Sequence, residues 1–564
     1  MAAPAKVDRS TILFVVIIFV SGLFLFELFK KQVLQHSQYA AAAEEQSTAV
    51  VSQPAQRGQI LAQDRDGKLF TLAVSDWRYQ LLISPRQVKN KEKLVDELKT
   101  YIPTLDRADT LSKITNDKVY VPPIIKDLDV ATAQKIADKD YAGVFMLPVL
   151  LRVYPDGDGI APQILGFVGA DSEGKYGVEA SQDKVLRGTS GDEKAKRDSL
   201  GRLIDVLGGK EPESGQDVVL TIDYNLQYTV ETKLKQAIET YQADGGSIVV
   251  MNPKTGGVLA IAGSPKYDPN AYSSLPAADQ FKFLSPAVSN IYEPGSVMKP
   301  VTMAMALDMG AVTPETTHDA GGSVTVSGYE IRNAEDKVYG NETMSQILEN
   351  SDNVQMVWIS SLIGPEKERE YFDKFGFGQK TGINLVGEQA GDLRDKKEWR
   401  DLLRSTAAFG QGVSVTTLQM AAAYSVLANG GYKVTPHLAQ KYLNDGQEEV
   451  IEQAKGAQVI SPETSNKIRE MLVNVVVHGH GKRAKVDGIR VGGKTGTAQV
   501  PDPSGGYYED RHIGTFAGLF PADDPKFVMV VRLDNPKTVK FAESSAAPTF
   551  GEIANWITNY YQLR

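Results

Sequence analysis

The chain has 564 residues, which is more than one ordinary domain and predicts two or three folded units with tails. Hydrophobic residues make up 42% and charged residues 23%, a composition typical of globular rather than disordered proteins. The net charge of −9, without a long Lys/Arg run, argues against nucleic acid as a partner. The chain has no cysteine, which excludes disulfides and thiolate zinc sites.

Residues 12–29 form the one strongly apolar run of the sequence. As a helix, this run would be about 27 Å long, close to the thickness of a bilayer core. A cleaved signal peptide is the competing interpretation, but the apolar core of a signal peptide is only about 7–15 residues long. The first cluster of small residues, Ala40–Ala43, also lies too far downstream for a cleavage site. We therefore expect an uncleaved transmembrane anchor over 12–29, preceded by a tail of residues 1–11.

Changes in composition divide the next part of the chain into three segments. Residues 30–56 are polar and alanine-rich and predict a helical stalk or linker. Residues 57–215 predict an extended, loop-rich α+β domain, with dense glycine punctuation from 156 onward. Residues 216–244 predict a linking strand and then an amphipathic helix that begins at Asp223.

Residues 245–564 show a different pattern. The runs SIVVMN and VLAIAG flank the turn residues PKTGG and predict a β-hairpin. Helical stretches, strand-like runs and a terminal helix follow: helices 296–309, 341–363 and 415–429, strands 489–500, 512–520 and 527–534, and helix 549–562. Strand-like runs lie at both ends of this segment, with helices between them. This order predicts an α+β domain in which strands from both ends of the segment form one sheet.

A Ser-x-x-Lys motif at 296–299 is the first candidate for chemistry. It precedes Pro300, and proline is comfortable only in the first turn of a helix, so the helix should begin near Ser296. Ser296 and Lys299 then share a face, where a neutral lysine amine could take the hydroxyl proton. The motif alone is weak, because such pairs are usually solvated and two others have the same spacing: Ser172 with Lys175 and Ser181 with Lys184.

Two more short motifs follow in order. Ser-Asp-Asn at 351–353 lies in a helical stretch, and a helix N-cap is its alternative interpretation. Lys-Thr-Gly-Thr at 494–497 lies on a predicted strand, although Lys-Thr-Gly also occurs in the hairpin turn at Lys254 and in a loop at Lys380. A Ser-x-x-Lys at a helix start, then Ser-Asp-Asn, then Lys-Thr-Gly on a strand is the signature of penicillin-binding proteins and serine β-lactamases.

Segments outside these motifs carry a resemblance that covers nearly all of the chain. They are Arg57–Ile60 with Asp64–Gly67, Arg152–Pro155, Leu165–Gly169, Gly177–Glu179 and Phe409–Gly412. With them, the chain resembles the class B penicillin-binding proteins. A glycosyltransferase-like stretch, typical of class A, does not precede the second domain. Two segments, Pro294–Pro300 and Lys196–Gly201, are more similar to division-type than to elongation-type members.

The resemblance implies both fold and activity. It implies a transpeptidase fold over 245–564, with a central antiparallel sheet flanked by helices and an all-helical subdomain. It also implies a non-catalytic pedestal, similar to a dimerisation domain, over 57–215. The implied activity is that of a peptidoglycan D,D-transpeptidase, which cross-links stem peptides through a serine acyl-enzyme, releases D-alanine and is acylated by β-lactams. Septal cell-wall synthesis is the implied process, and neither a metal nor an organic cofactor is needed.

The resemblance also implies roles for the motif residues. Ser296 is the nucleophile and Lys299 its base, with a pKa lowered by burial and by the nearby cation of Lys494. Ser351 relays a proton to the leaving amine, and Asn353 orients Lys299 and the substrate amide. Substrate binding falls to the last motif, with two hydroxyls at the terminal carboxylate: Thr495, Gly496 and Thr497. The backbone N–H groups of Ser296 and Thr497 form the implied oxyanion hole.

Location and partners follow from the same resemblance. The basic residues on the two sides of the anchor balance, so charge alone leaves its orientation open: Lys6 and Arg9 against Lys30 and Lys31. The resemblance implies a single-pass protein of the bacterial inner membrane, with both large domains in the cell-wall compartment. It also implies a SEDS-family glycan polymerase that touches the anchor and the pedestal, whereas lipid alone is the simpler occupant of the 12–29 surface.

Other functions compete with this interpretation. A D,D-carboxypeptidase or a serine β-lactamase would use the same residues, but would need a water held against the acyl-enzyme. A β-lactam sensor would need a signalling domain, and only eleven residues precede the anchor. A catalytically idle scaffold would tolerate Ser296→Ala in cells.

Overall fold

The computed structural model describes residues 8–40, 48–53, 55–115, 121–197, 203–444 and 446–564. The chain forms two compact units, of which the first combines Met1–Gln56 with Gly188–Gly215. The second combines Arg57–Arg187 with Gln216–Arg564. The break between Arg187 and Gly188 therefore lies inside the segment 57–215 that the sequence assigns to the pedestal.

The first unit contains the apolar helix. An α-helix spans Arg9–Phe29, and one π-helical turn continues it over Lys30–Leu34. Its 21 α-helical residues give about 31 Å at the usual rise per residue, which matches a hydrocarbon core. Large apolar side chains are exposed along the helix, among them Phe14, Phe19 and Phe24. The helix includes the predicted anchor 12–29 and is long and apolar enough to cross a membrane.

The same unit also contains a three-stranded antiparallel sheet. Its strands, in spatial order, are Thr48–Gln53, Gly191–Arg197 and Leu203–Lys210. The expectation of a helical stalk or linker across 30–56 is thus wrong for Thr48–Gln53, which is a strand. The strand pairs with a segment far away along the chain, and such a partner leaves no local pattern in a polar, alanine-rich sequence.

The pedestal is built on a seven-stranded sheet. The order is Gln447–Val450, Ala439–Asn444, Asp217–Asp223, Ile60–Gln63, Leu69–Ile83 and Ile125–Leu128, with Val144–Val153 also paired to Leu69–Ile83. The predicted linking strand Asp217–Asp223 pairs in parallel with Ile60–Gln63 and antiparallel with Ala439–Asn444. One sheet therefore joins the pedestal to the C-terminal part. Three amphipathic helices cover a buried core that includes Leu81 and Ile83: Lys91–Tyr101, Arg107–Ile114 and Val130–Ala137.

A buried carboxylate, Glu179, links the pedestal motifs. Arg57 donates from Nε to its Oε2 at 2.7 Å, and Arg152 donates from Nε to its Oε1 at 2.6 Å. The Tyr154 hydroxyl donates to the same Oε1 at 3.2 Å. Three of the motifs that carried the family resemblance thus meet at one ion cluster. Short elements surround it: helices Pro162–Leu165, Gly177–Ser181 and Asp183–Leu186, and paired strands Phe167–Val168 and Gly174–Lys175.

The C-terminal part contains a five-stranded antiparallel sheet. The order is Val258–Ser264, Gly245–Met251, Phe527–Asp534, Tyr507–Phe520 and Gly492–Pro501. Two strands come from the start of the domain and three from its end, which confirms the prediction of one sheet closed by both halves. Alternate residues face opposite ways, so Ile248 and Val250 pack under two helices that cover one face: Tyr224–Tyr241 and Ala546–Tyr560.

The middle of this part is mainly helical. Its helices are Pro286–Ser289, Lys299–Asp308, Met344–Asn350, Asn353–Ile363, Pro365–Phe375, Asp401–Ala407, Thr417–Ala428 and Pro462–Val477. Two small antiparallel pairs lie among them: Thr317–Asp319 with Asn341–Thr343, and Ser323–Val326 with Tyr329–Arg332. The expected α+β class, with a central antiparallel sheet and helices around it, is confirmed.

One helix differs from its prediction. The sequence predicts a continuous helical stretch over 341–363, but the structure has two helices separated at Ser351. Ser351 has a left-handed backbone, with φ 60° and ψ 40°, which no α-helix accommodates. Asp352 caps the second helix by accepting a hydrogen bond from the Gln355 N–H at 2.7 Å.

Candidate active site

The first motif lies where a tight turn runs into a helix. Gly295 has φ +58°, and a 3₁₀ turn over Gly295–Met298 continues into the helix Lys299–Asp308, with Pro300 in its first turn. The helix thus begins close to Ser296, as predicted from the proline. The Tyr424 hydroxyl donates to the Val297 carbonyl at 2.9 Å in a fully buried contact. This contact fixes the turn on its buried side, while Ser296 lines an open cleft.

Lys299 connects the first motif to the second. Its side chain is fully buried, and its Nζ donates to Ser351 Oγ at 3.1 Å and to Asn353 Oδ1 at 2.7 Å. A third bond goes to the Ser351 carbonyl at 2.5 Å. The three hydrogen bonds of this amino group therefore all go to the second motif. The helix break at Ser351 makes this possible, because it turns a carbonyl and a hydroxyl of the same residue toward Lys299.

The third motif lies on the edge strand Gly492–Pro501. Lys494 is fully buried, and its Nζ donates to the Thr495 carbonyl at 3.1 Å. The strand runs against the turn that contains Ser296, since a Cβ atom on Gly496 would lie 2.8 Å from the Pro294 carbonyl oxygen. Gly496 therefore allows a close approach of two backbones. Thr497 Oγ1 accepts a hydrogen bond from the Ala542 N–H at 3.1 Å.

These residues open into one cleft of about 690 Å³. Residues of all three motifs line it: Ser296, Ser351, Asn353, Thr495 and Thr497. The competing copies of the motifs lie elsewhere. Lys254 is in the hairpin turn and pairs with Asp524 at 2.5 Å, and Lys380 is in a loop. Among the described residues, no group of three or more His, Asp or Glu side chains is arranged to hold a metal ion.

Comparison with known proteins decides the family. A family model for the penicillin binding protein transpeptidase domain matches residues 246–555, and one for the penicillin-binding protein dimerisation domain matches 52–220. The chain belongs to the class B penicillin-binding proteins. The predicted activity, that of a peptidoglycan D,D-transpeptidase, is confirmed by this membership.

Relatives of this penicillin-binding protein cover most of its length. It is 36% identical to stage V sporulation protein D of Bacillus subtilis, over 88% of this chain and 77% of that protein. It is 33% identical to penicillin-binding protein PbpB of Mycolicibacterium smegmatis, over 95% and 88% of the two chains. A crystal structure of penicillin-binding protein 3 from Mycobacterium tuberculosis with aztreonam is 29% identical, with a TM-score of 0.70, covering 91% of this chain and 98% of that one.

The two lysines of this penicillin-binding protein have lowered pKa values. Burial, together with the nearby Lys494 ammonium, holds the pKa of Lys299 well below its ordinary value, while Asp352 and Glu342 act in the opposite direction. Burial lowers the pKa of Lys494 to about 7, and Glu543 opposes that shift. Two buried ammonium groups in one site disfavour each other, so their protonation is linked. The expected direction for Lys299, from burial and a neighbouring cation, is what the geometry produces.

Sequence reasoning missed several polar residues around the cleft. His480 lines the cleft, and its Nδ1 lies 3.2 Å from Glu543 Oε2. Glu342 is 2% exposed beside the second motif, and burial raises its pKa to about 7. Asn333 lies against the second motif itself. None of them lies within a motif, so only their position beside the motif residues in the folded chain indicates a role.

Proposed function

We propose that Ser296 is the nucleophile with which this transpeptidase cross-links peptidoglycan stem peptides. The observation that carries the proposal is the arrangement of Lys299, which is fully buried and donates to Ser351 and Asn353 at the wall of the cleft that Ser296 lines. A lysine held in this way, with a lowered pKa, is a base for a neighbouring hydroxyl.

Acylation proceeds at the D-Ala-D-Ala end of a stem peptide. Ser296 Oγ forms a bond with the penultimate carbonyl carbon, and the bond from that carbon to the terminal D-alanine nitrogen breaks. Lys299 accepts the hydroxyl proton and donates it to Ser351 Oγ, and the Ser351 hydroxyl passes its own proton to the leaving amine. The backbone N–H groups of Ser296 and Thr497 bind the oxyanion, an interaction that contributes about 3–4 kcal/mol in other acyl-transfer enzymes.

The acyl group then moves to an acceptor amine. The amine nitrogen bonds to the acyl carbon, the ester bond to Ser296 breaks, and the amine proton returns to the serine. Asn353 orients Lys299 and the substrate amide. The third motif binds the substrate's terminal carboxylate through Lys494 and the hydroxyls of Thr495 and Thr497, and Gly496 lets the strand lie close to the nucleophile turn.

The chain acts as a single-pass protein of the bacterial inner membrane, with residues 1–11 in the cytoplasm and the pedestal and catalytic domain outside. The exposed apolar surface of Arg9–Phe29 supports the anchor. Its partner is a SEDS-family glycan polymerase at the anchor and pedestal. The similarity of Pro294–Pro300 and Lys196–Gly201 to division-type members supports a role at the septum. Depletion of the protein should then produce filamentous cells, whereas rounded cells would indicate a role in elongation.

Labelling with a fluorescent penicillin tests the nucleophile. The full-length chain in detergent should acquire a stable fluorescent band, and Ser296→Ala should lose it. Ser181→Ala is the matched control, because Ser181 has the same spacing to a lysine, and it should label like the wild type. Label that persists in Ser296→Ala contradicts the proposal. Label that disappears within minutes from the wild type indicates a hydrolase, such as a β-lactamase or D,D-carboxypeptidase, at the same residues.

A further inference from the structure

We propose that Asn333 is a positioning residue that fixes the second active-site motif in register with Lys299. The inference rests on the proposed function, because it assigns the support of the same base. Asn333 follows the strand Tyr329–Arg332 and precedes the 3₁₀ turn Ala334–Asp336. Its side chain is buried, with 6% of the residue exposed, although it is far from the three motifs along the chain.

The Asn333 carboxamide is hydrogen-bonded on both sides. Its Nδ2 donates to Asp352 Oδ2 at 2.7 Å and to the Lys337 carbonyl at 3.1 Å. Its Oδ1 accepts from the Asn353 N–H at 2.6 Å and from the Val354 N–H at 3.4 Å. Two acceptors face the amino group and two donors face the carbonyl group, so only one orientation of the amide satisfies them all.

These bonds hold the helix break in place. Asp352 uses one carboxylate oxygen to cap the helix through the Gln355 N–H and the other to accept from Asn333. The residue just before it, Ser351, has the left-handed conformation, which is unfavourable for a residue with a side chain. Such a conformation persists only where the surrounding contacts enforce it. Asn333 supplies three contacts directly after Ser351, one to the Asp352 side chain and two to the backbone N–H groups of Asn353 and Val354.

The same loop positions Asn353, the residue that accepts a hydrogen bond from Lys299. Asn353 is held twice by the same loop: its N–H by Asn333 and its Nδ2 by the Arg332 carbonyl at 3.1 Å. Its remaining amide atom, Oδ1, accepts the 2.7 Å bond from Lys299. A shift of the 332–333 segment would therefore move the acceptor of the catalytic amine. Asn333 does not contact Lys299, and its effect passes through Asn353.

Asn333 also affects the charges around Lys299. The charged groups that act on this amine are Lys494, Asp352 and Glu342. The amino group of Asn333 donates a hydrogen bond to one of them, Asp352. An amide fits at this position because it can donate to that carboxylate, which an ionised carboxylate could not do. An aspartate at 333 would place a second carboxyl oxygen against Asp352 Oδ2. The added negative charge would stabilise the charged form of Lys299 and raise its pKa.

The test uses the full chain in detergent, with the rate of acylation by a fluorescent penicillin measured from pH 5 to pH 10. We expect Asn333→Ala to slow acylation about 10- to 100-fold, as for other losses of positioning. Asn333→Asp keeps the size and the acceptor but brings two carboxyl groups together, so thermal unfolding is measured to check that it folds. The folded variant should shift the acidic limb of the rate profile to higher pH. The shift follows because Lys299 must be neutral to accept the serine proton.

Asn429→Ala is the matched control. The Asn429 carboxamide also makes three hydrogen bonds to backbone, to Pro253 and Tyr432, outside the cleft. Asn429→Ala should lower the melting temperature without changing the pH profile of the acylation rate. If both Asn333 variants acylate with the wild-type rate and profile, or if Asn429→Ala slows acylation equally, Asn333 is not a positioning residue. Failure of the proposed function differs from this result, because the wild type would then stay unlabelled or Ser296→Ala would still label.

Discussion

The active site contains two fully buried lysines, Lys299 and Lys494. An ordinary lysine has a pKa near ~10.4, so only about 1 in 2,500 is neutral at pH 7. Lowering that pKa by about three units takes about 4 kcal/mol. Burial supplies the largest part for both residues, and for Lys299 the positive charge of Lys494 adds to it. The third motif is therefore coupled to the first through charge, in addition to any contact it makes with substrate.

Replacement of Lys494 should reveal this coupling. In Lys494→Ala the cation that depresses the pKa of Lys299 is lost, so that pKa rises and less amine is neutral near pH 7. We expect acylation by a fluorescent penicillin to slow, and the pH of half-maximal rate on the acidic limb to increase. Lys254→Ala, at the Lys-Thr-Gly of the hairpin turn, should keep the wild-type profile. An unchanged pH midpoint in Lys494→Ala would show that Lys494 does not activate the base.

The carboxylate of Glu543 acts on Lys494 from the same cleft. It raises the pKa of Lys494 against the effect of burial, so Glu543→Gln should lower that pKa further below about 7. Less Lys494 is then charged at neutral pH, and we expect the alkaline limb of the acylation profile to move to lower pH. Glu509→Gln, at another acidic residue lining the cleft, is the control and should leave that limb in place.

The motif residues could be found from the sequence because their identity and order are local features. Ser296, Lys299 and the Lys494 strand all lie where helix and strand patterns place them. Asn333 and Glu342 could not be found in this way. Asn333 becomes relevant only through its contacts with Asp352 and Asn353, which the fold brings together from separate parts of the chain. A single polar residue in a loop carries no signal of such a contact.

At the scale of elements, the site is assembled where an edge strand meets a turn. The strand Gly492–Pro501 approaches the turn before Lys299 so closely that a Cβ on Gly496 would lie 2.8 Å from the Pro294 carbonyl oxygen and 3.0 Å from Val297 Cγ1. Ser296 and Thr497 both line the cleft. The close approach of the two backbones depends on the absence of a side chain at Gly496.

Gly496→Ala should widen this contact. Because backbone atoms of the nucleophile turn cannot move aside easily, we expect a loss of about 1–3 kcal/mol in stability and about a 10- to 100-fold slower acylation. Gly257→Ala is the control, because its Cβ would meet side-chain atoms of Thr221 and Thr255 no closer than 3.3 Å. Thermal unfolding and penicillin labelling measure the two effects. A Gly496→Ala protein that labels at the wild-type rate would contradict this account of the contact.

The break at Ser351 shows why one element was predicted wrongly. Residues 344–363 favour helix throughout, and the Ser-Asp-Asn triplet is compatible with either a helix interior or a cap. The side chain of Asp352 does cap a helix, so the alternative interpretation of the motif is also correct. Lys299 and Asn333 decide the outcome. Lys299 donates a hydrogen bond to the Ser351 carbonyl and Asn333 accepts one from the Asn353 N–H, so neither backbone group is paired within a helix. Such tertiary contacts override local helix preference.

At the scale of the whole molecule, Glu179 is central to the pedestal. It is fully buried, and its oxygens accept from Arg57, Arg152 and Tyr154. Glu179→Gln leaves the volume unchanged but removes the counter-charge of the buried Arg152 guanidinium, while Arg57 keeps its ion pair with Asp183 at 2.8 Å. Leaving one buried charge unpaired costs about 3–5 kcal/mol. Denaturant unfolding should show this loss. Glu173→Ala removes exposed ion pairs with Lys175 and should cost no more than about 0.5 kcal/mol. Equal stabilities of the two variants would contradict the role of Glu179.

Much of the global arrangement follows from the sequence, because the five-stranded sheet has alternating apolar runs at both ends of one segment. Two strand pairings could not be predicted from the sequence. They are the pairing of Thr48–Gln53 with Gly191–Arg197 and that of Ala439–Asn444 with Asp217–Asp223. Strand partners that are distant along the chain are selected by backbone hydrogen bonds, which are the same for every residue type except proline.

The sheet shared by pedestal and catalytic parts has a practical consequence for producing the enzyme. A fragment cut to begin at Gly245 lacks Asp217–Asp223, so the backbone of Ala439–Asn444 is bare along one side. Bare strand edges recruit other strands, and such a fragment should aggregate. A fragment that begins at Thr48 keeps every strand of this sheet with its neighbours, and it also keeps Thr48–Gln53 paired with Gly191–Arg197. Inhibitor screening and crystallisation without the apolar helix should therefore use residues 48–564.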